Sequence, residues 1–170
     1  MVEFRVYGIP APGGSKRAFP IHTGKFKPDS RTGKPVEIIR TIVTDAAGAR
    51  NKNWRQSVQD ACRSVFTSVP LQGPLSMKVL FYMPYRKGDF NAKGDVKETA
   101  PKFPITKPDV LKLMRSTEDA LNGVLWLDDA QVVATSACKV YGRQPGALIQ
   151  IESLNKGPSA PESRKTIVLP

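Results

Sequence analysis

Five of the chain's fifteen acids, Asp109, Glu118, Asp119, Asp128 and Asp129, fall in one short stretch that holds only two bases, Lys112 and Arg115. From Asp109 to Asp129 the formal charge is −3, so the remainder carries +14 of a net +11. Carboxylate oxygens are hard ligands of the kind that hold Mg²⁺, and surrounding cations hold a phosphate backbone. An acidic knot inside a basic protein therefore suits metal-assisted chemistry on nucleic acid. The competing reading is a capped helix followed by a polar turn, so each acid has to be weighed against it.

The elements that must position these acids follow from periodicity. Val110, Leu113, Met114, Thr117, Leu121 and Val124 share one face at 3.6 residues per turn, which predicts a helix from 109 to 123. Asn122-Gly123 supplies its stop, and Pro108 suits its first turn. Thr106-x-x-Asp109 reads as a variant capping box, so Asp109 has two open roles, cap and metal ligand. Asp128 and Asp129 follow the apolar pair Trp126-Leu127 and precede a strand expected over 131–142. Either they form a polar turn or packing holds them in place. A helix from 109 to 123 is about 22 Å long, and residues 124–128, if extended, return about 17 Å of it. Asp128 or Asp129 can thus reach Asp109, although nothing in the sequence compels it.

Three blocks, Lys107-Pro108-Asp109, Asp119-Ala-Leu-Asn-Gly123 and Asp128-Asp-Ala-Gln-Val132, resemble the signature of RusA-type Holliday junction resolvases, commonest in phages and prophages. That pattern runs K-P-D-x-D-N-L-x-K, then D-A-L-N-G, then D-D-x-Q-V. The resemblance implies a small α+β homodimer that uses carboxylates and Mg²⁺, with Mn²⁺ as an alternative, to nick branched four-way DNA symmetrically. It makes Asp109, Asp128 and Asp129 the metal ligands, and Arg115 a phosphate or transition-state contact where the family has Lys. The chain departs from the pattern at Leu111, where the family's second acid falls, and at Lys112, where it has Asn. Leu111 lies about 100° around the helix from Val110, on a flank shared with Arg115 and Glu118. Glu118, seven residues further on, is not expected to substitute. Either the metal takes more water ligands, or cleavage is weakened or lost.

The rest of the chain supplies scaffold and positive charge. Its 170 residues, 40% hydrophobic and 24% charged, suit one domain over 1–153 with an extension at 154–170. No run is apolar enough to span a membrane, no signal peptide opens the chain, and the expected location is the cytoplasm, of a bacterial host if phage-encoded. Cys62 and Cys138 are expected as buried thiols, and His22 lacks companions for a zinc site or a triad.

Strands are expected at 2–7, 36–44, 75–83 and 147–152, the third covered on both faces and the last forming a hairpin with 131–142. A second helix should open at Asn53 and bury Trp54, Val58, Ala61, Cys62 and Val65. Residues 18–35 read as hairpin turns or a loop. Residues 84–107 read as a DNA-contacting flap or a disordered insertion. Candidate DNA contacts are Lys16, Arg17, Arg86, Lys87, Lys93, Lys97, Lys107 and Lys112. The expected fold class is α+β, a mixed and largely antiparallel sheet with two principal helices. Besides a metal-dependent nuclease, two alternatives stand: a junction binder that cleaves poorly, and a basic nucleic-acid-binding protein without a site.

Overall fold

The computed structural model describes residues 1–14, 16–45 and 48–154. The expected extension beyond Leu154 and the side chains of Lys16 and Arg17 lie outside the described residues. The elements run β1 (Val2–Tyr7), β2 (Lys16–Pro28), β3 (Pro35–Asp45), α1 (Gly48–Val65), β4 (Leu75–Pro84), α2 (Val110–Leu121), β5 (Val132–Gly142) and β6 (Gly146–Ser153). One-turn 3₁₀ segments occupy Lys87–Asp89 and Asp129–Gln131. The class is α+β: a four-stranded mixed sheet ordered β1-β6-β4-β5, a separate β2–β3 hairpin, and two helices.

Strand β4 is the hub of the sheet. Leu75, Met77, Val79, Phe81 and Met83 alternate along it and are all buried, while Lys78 on the other face is exposed. The expectation of a strand covered on both faces is therefore corrected to an amphipathic strand with one core face. That face meets Phe4 and Val6 of β1, Ile149 and Ile151 of β6, and the apolar sides of both helices. Burying each such side chain contributes about 1.5–3 kcal/mol. In α1 the buried positions are Asn51, Trp54, Val58 and Cys62, and the helix begins at Gly48, ahead of the expected Asn53. Val65, expected inside, is 54% exposed because it is the last residue of α1.

The expected hairpin of β5 with β6 is overturned. Strand β5 pairs parallel with β4, whereas β6 pairs antiparallel with β4 on its opposite edge. The cause is the long 85–131 connection, which carries α2 and makes β4–α2–β5 a crossover unit, the connection that parallel neighbours need. Neighbouring strands lie about 4.8 Å apart, so β5 and β6 stand about 9.6 Å apart across β4. Residues 143–145 can span that as an arch over the end of β4, since extended chain gives about 3.3 Å per residue. Gly146 is required where the arch lands, because a Cβ there would come within 2.1 Å of the Val6 carbonyl oxygen.

Residues 18–28, expected as hairpin turns or a loop, are strand β2 of a hairpin with β3, closed by a turn at Asp29. Asp29 Oδ1 accepts from the amides of Arg31 and Thr32 at 2.8 and 2.7 Å. His22 Nδ1 lies 2.7 Å from Glu37 Oε2 across the hairpin. Cys62 and Cys138 are free thiols, the first buried and the second half-buried, and burial pushes Cys62 up to about 11.

Candidate active site

Helix α2 is fixed from behind before it presents anything in front. Trp54 Nε1 donates to Thr117 Oγ1 at 3.1 Å, and Ser116 Oγ donates to Asn51 Oδ1, both inside the α1–α2 seam. Arg55 adds Nη2 to the Asp119 carbonyl at 3.0 Å and an ion pair with the Asp119 carboxylate at 3.7 Å. Asp119 is thereby occupied in holding the helices together. The N-terminal segment docks on the other side, where the Gly13 amide donates to the Lys112 carbonyl at 2.9 Å.

Asp109 stands at the N-cap of α2 with extended backbone, yet its side chain makes no capping bond. The capping-box role expected for it with Thr106 is therefore not filled. Its carboxylate is exposed and lies 3.1 Å from Lys112 Nζ. Lys107, Pro108, Asp109 and Lys112 line one wall of a cleft of about 720 Å³. The segment Gly8–Pro12 forms a second wall, and Arg50, Asn53 and Ser57 of α1 a third. The result is one carboxylate at the mouth of a cleft with three cations.

Asp128 and Asp129 are held differently. Asp128 Oδ1 accepts from the Ala130 amide at 2.8 Å, which caps the 3₁₀ turn. Gln131 completes it: its Oε1 accepts from the Leu127 and Asp128 amides, and its Nε2 donates to the carbonyls of Leu71 and Gly73. Asp129 is half-buried and accepts from Nε1 of the buried Trp126 at 3.3 Å. The packing expected from Trp126-Leu127 is thus supplied by Trp126 alone, since Leu127 is exposed.

Glu118, which its sequence position sets aside as a ligand, is the acid of the stretch whose carboxyl is shifted upward. Burial raises its carboxyl above the ordinary carboxylate value, Asp129 and then Asp119 raise it further, and Arg115 pulls the other way. The charge of Asp129 acts on Glu118, which stands nine residues, about 13 Å of helix rise, beyond Asp109. Among the described residues no three His, Cys, Asp or Glu side chains gather closely enough to hold a metal by themselves. The available signal for Glu118 is its place two turns beyond Leu111 on the same flank. Leu111 itself is 76% exposed on that flank, as its helical phase requires.

The basic residues divide in the same way. Lys107 and Lys112 share the cleft with Asp109, and Arg86 joins them indirectly by donating from Nη2 to Thr106 Oγ1 at 3.3 Å. Lys87, Lys93 and Lys97 are exposed on the 84–107 excursion. Far from being structureless, that excursion folds on itself. The Lys97 amide donates to the Asp89 carbonyl, Asn91 Oδ1 accepts from the amides of Lys93 and Asp95, and the Tyr141 amide donates to the Lys102 carbonyl. Lys139 Nζ then ties the carbonyls of Thr106 and Pro108 to β5 at 2.7 and 2.9 Å, which sets the angle at which Asp109 emerges.

Comparison with known proteins places the chain in a family. Residues 28–152 match the family model described as endodeoxyribonuclease RusA. The chain is also 31% identical over 157 residues to the uncharacterized protein YqaN of Bacillus subtilis (strain 168), covering 91% of this chain and 97% of that one. The matched span contains both helices, the 84–107 excursion and every acid from Asp109 to Asp129. The chain belongs to the RusA endodeoxyribonuclease family.

Proposed function

We propose that this chain is a divalent-metal-dependent endonuclease that cuts branched, four-way DNA and works as a homodimer built on a single domain over 1–153. The observation that carries the reading is the uncapped Asp109 carboxylate at the mouth of a cleft lined by Arg50, Lys107 and Lys112. The donor chemistry fits Mg²⁺ or Mn²⁺: hard oxygens, with a negative region at Asp129 marked by the raised Glu118 carboxyl. Their number does not close a protein-only cage. Mg²⁺ commonly keeps several waters and is bound through one or two carboxylates plus substrate phosphates. Asp109, Asp128 and Asp129 are the residues that would hold it; they do not form one closed three-carboxylate set in this structure, so waters and the substrate phosphate would complete the shell.

When bound, a divalent ion would supply polarisation of the scissile phosphate and a lowered pKa for an attacking water. The chain's own residues do the rest. Lys107, Lys112 and Arg50 draw the phosphate backbone into the cleft. Arg115 offsets charge on the phosphate through its guanidinium. Arg86, Lys87, Lys93 and Lys97 extend the basic surface, Lys16 and Arg17 are assigned to the DNA from the sequence alone, and recognition of the branch comes from shape rather than from base contacts. The hairpin supports the dimer: Phe19 and Ile42 are exposed on one of its faces, Ile39 and Val43 on the other, and a free two-stranded ribbon is marginal alone. Phage or prophage origin, and action in a bacterial host's cytoplasm, belong to the same reading and rest on the motif resemblance. No helix among the described residues is long and apolar enough to cross a membrane.

The test is cleavage of a four-way junction in Mg²⁺, Mn²⁺ and EDTA by the wild type, Asp109→Asn and Asp129→Asn, with sedimentation for the dimer. Metal binding has its own readout, because Trp126 touches Asp129: terbium held there should luminesce on indole excitation and lose that emission in Asp129→Asn. Full cleavage by all these variants would sink the assignment. A second reading, binding without cleavage, is favoured by Leu111 and by the ungathered carboxylates. It predicts tight junction binding with no product in either metal.

A further inference from the structure

A second cleft, of about 530 Å³, opens on the sheet face turned away from the helices. It takes its floor from Val140, Gly142 and Tyr82, and its rim from Arg5, Lys102 and Arg143. Two aromatic features make it more than a basic dent. Tyr85 and Tyr141 stack with ring centroids 5.3 Å apart and planes 18° apart, and Phe103 stands at the mouth, 46% exposed. Arg5 lies 4.9 Å from the Tyr82 ring centroid and 5.8 Å from that of Tyr7, so its guanidinium is held between two rings. Gly142 keeps the floor low, since a Cβ there would press on the Tyr82 ring at 3.1 Å. No carboxylate lines the cleft, and the nearby Asp95 makes only an exposed pair with Arg143 at 3.4 Å.

We infer that this cleft binds an unpaired nucleotide of a nucleic-acid strand, its base stacked on Phe103 and its phosphate held by Arg5, Lys102 and Arg143. Aromatic faces interleaved with cations are what a single strand needs, because every base offers a π-face and every phosphate a charge. The position supports it: Met83 lines the Asp109 cleft and the adjacent Tyr82 lines this one, so the two clefts sit on opposite faces at the same end of β4. A strand leaving one cleft around that end meets the other. The inference rests on the reading of the chain as a DNA-handling enzyme and adds a subsite to it.

The experiment measures binding of a fluorescein-labelled short oligothymidylate, a duplex of equal length and thymidine monophosphate to the full chain, beside junction cleavage. Phe103 and Arg5 are exposed, so Phe103→Ala and Arg5→Gln leave the core intact. Phe103→Ala should weaken oligothymidylate binding by roughly tenfold, Phe103→Tyr should restore it, and duplex binding should hold. Binding of the monophosphate without binding of the oligomer would reassign the cleft to free nucleotides and overturn the strand proposal. Equal weakening of oligomer and duplex by Arg5→Gln, with no effect of Phe103→Ala, would reduce the cleft to general basic surface. A changed sedimentation coefficient in Phe103→Ala with unchanged oligomer binding would make it a protein contact and equally refute the inference. A wild type that cuts junctions yet ignores the oligomer defeats this inference alone, whereas failure to bind any DNA defeats the nuclease reading as well.

Discussion

Leu111 lies on the flank of α2 that also carries Arg115 and Glu118, and its exposure decides between two outcomes that the sequence leaves open. An aspartate there would be solvated, so Leu111→Asp should change folding stability by no more than about 0.5 kcal/mol, the range of ordinary surface substitutions. Its functional effect is expected to be a gain: higher metal affinity and faster cleavage at low Mg²⁺, read by titrating Mg²⁺ in a junction assay. A mutant that melts normally and gains nothing would mean the site works without a ligand at that position.

Glu118 gives a second test at this scale. Its carboxyl is raised above the ordinary 4.5, so the folded state favours its protonated form. Its contribution is therefore fully present below that ordinary value and is lost as pH rises through the raised one. Removing the charge with Glu118→Gln should raise the melting temperature at neutral pH, and the gain should vanish in thermal melts below about pH 4. An equal gain at both pH values would show that packing, and not charge, was changed.

Among the elements, α2 matters most because everything in the candidate site hangs on its placement. The buried bond from Trp54 Nε1 to Thr117 Oγ1 locks α2 against α1. Thr117→Val keeps the volume but strands the indole N–H, which should cost about 1–3 kcal/mol of stability in urea unfolding. Cleavage per folded molecule should fall as well, since Asp109 and Arg115 move with the helix. The same element shows where sequence patterning succeeds: the stripe from Leu113 to Leu121 is buried as its 3.6-residue period requires. It also shows where patterning stops, because the Thr106-x-x-Asp109 spacing fits a capping box that the side chain does not make.

For the whole molecule the governing quantity is the field of +14 surrounding a −3 knot. Binding to DNA should weaken steeply with salt, and the slope of log K against log salt should fall by about 0.9 for every phosphate that is no longer neutralised. Replacing Lys87, Lys93 and Lys97 together by Gln should flatten that slope at little cost in stability, since all three residues are exposed and the one bond lost is that from Lys97 Nζ to the Gly88 carbonyl at 2.8 Å. Affinity measured across a salt series checks this, and an unaltered slope would remove the 84–107 excursion from the DNA surface.

The sequence by itself determined the fold class, the two helices, most strands, the acidic stretch and, through its three short blocks, the family. These are local properties: period, turn chemistry and motif spacing are written in neighbouring residues. What only the tertiary structure decided is non-local. A short link between Gly142 and Gly146 looks like a hairpin turn, but whether a third strand lies between its arms depends on β4, which is far upstream in sequence. Residues 18–28 became a strand because β3 offered a hydrogen-bonding edge that their own turn-forming composition does not reveal. Chain reach allows Asp129 to approach Asp109, but where Asp129 stands is fixed by the burial of Trp126, whose indole N–H donates to its carboxylate. Short-range sequence limits how far a carboxylate can travel, and long-range burial chooses where it stops.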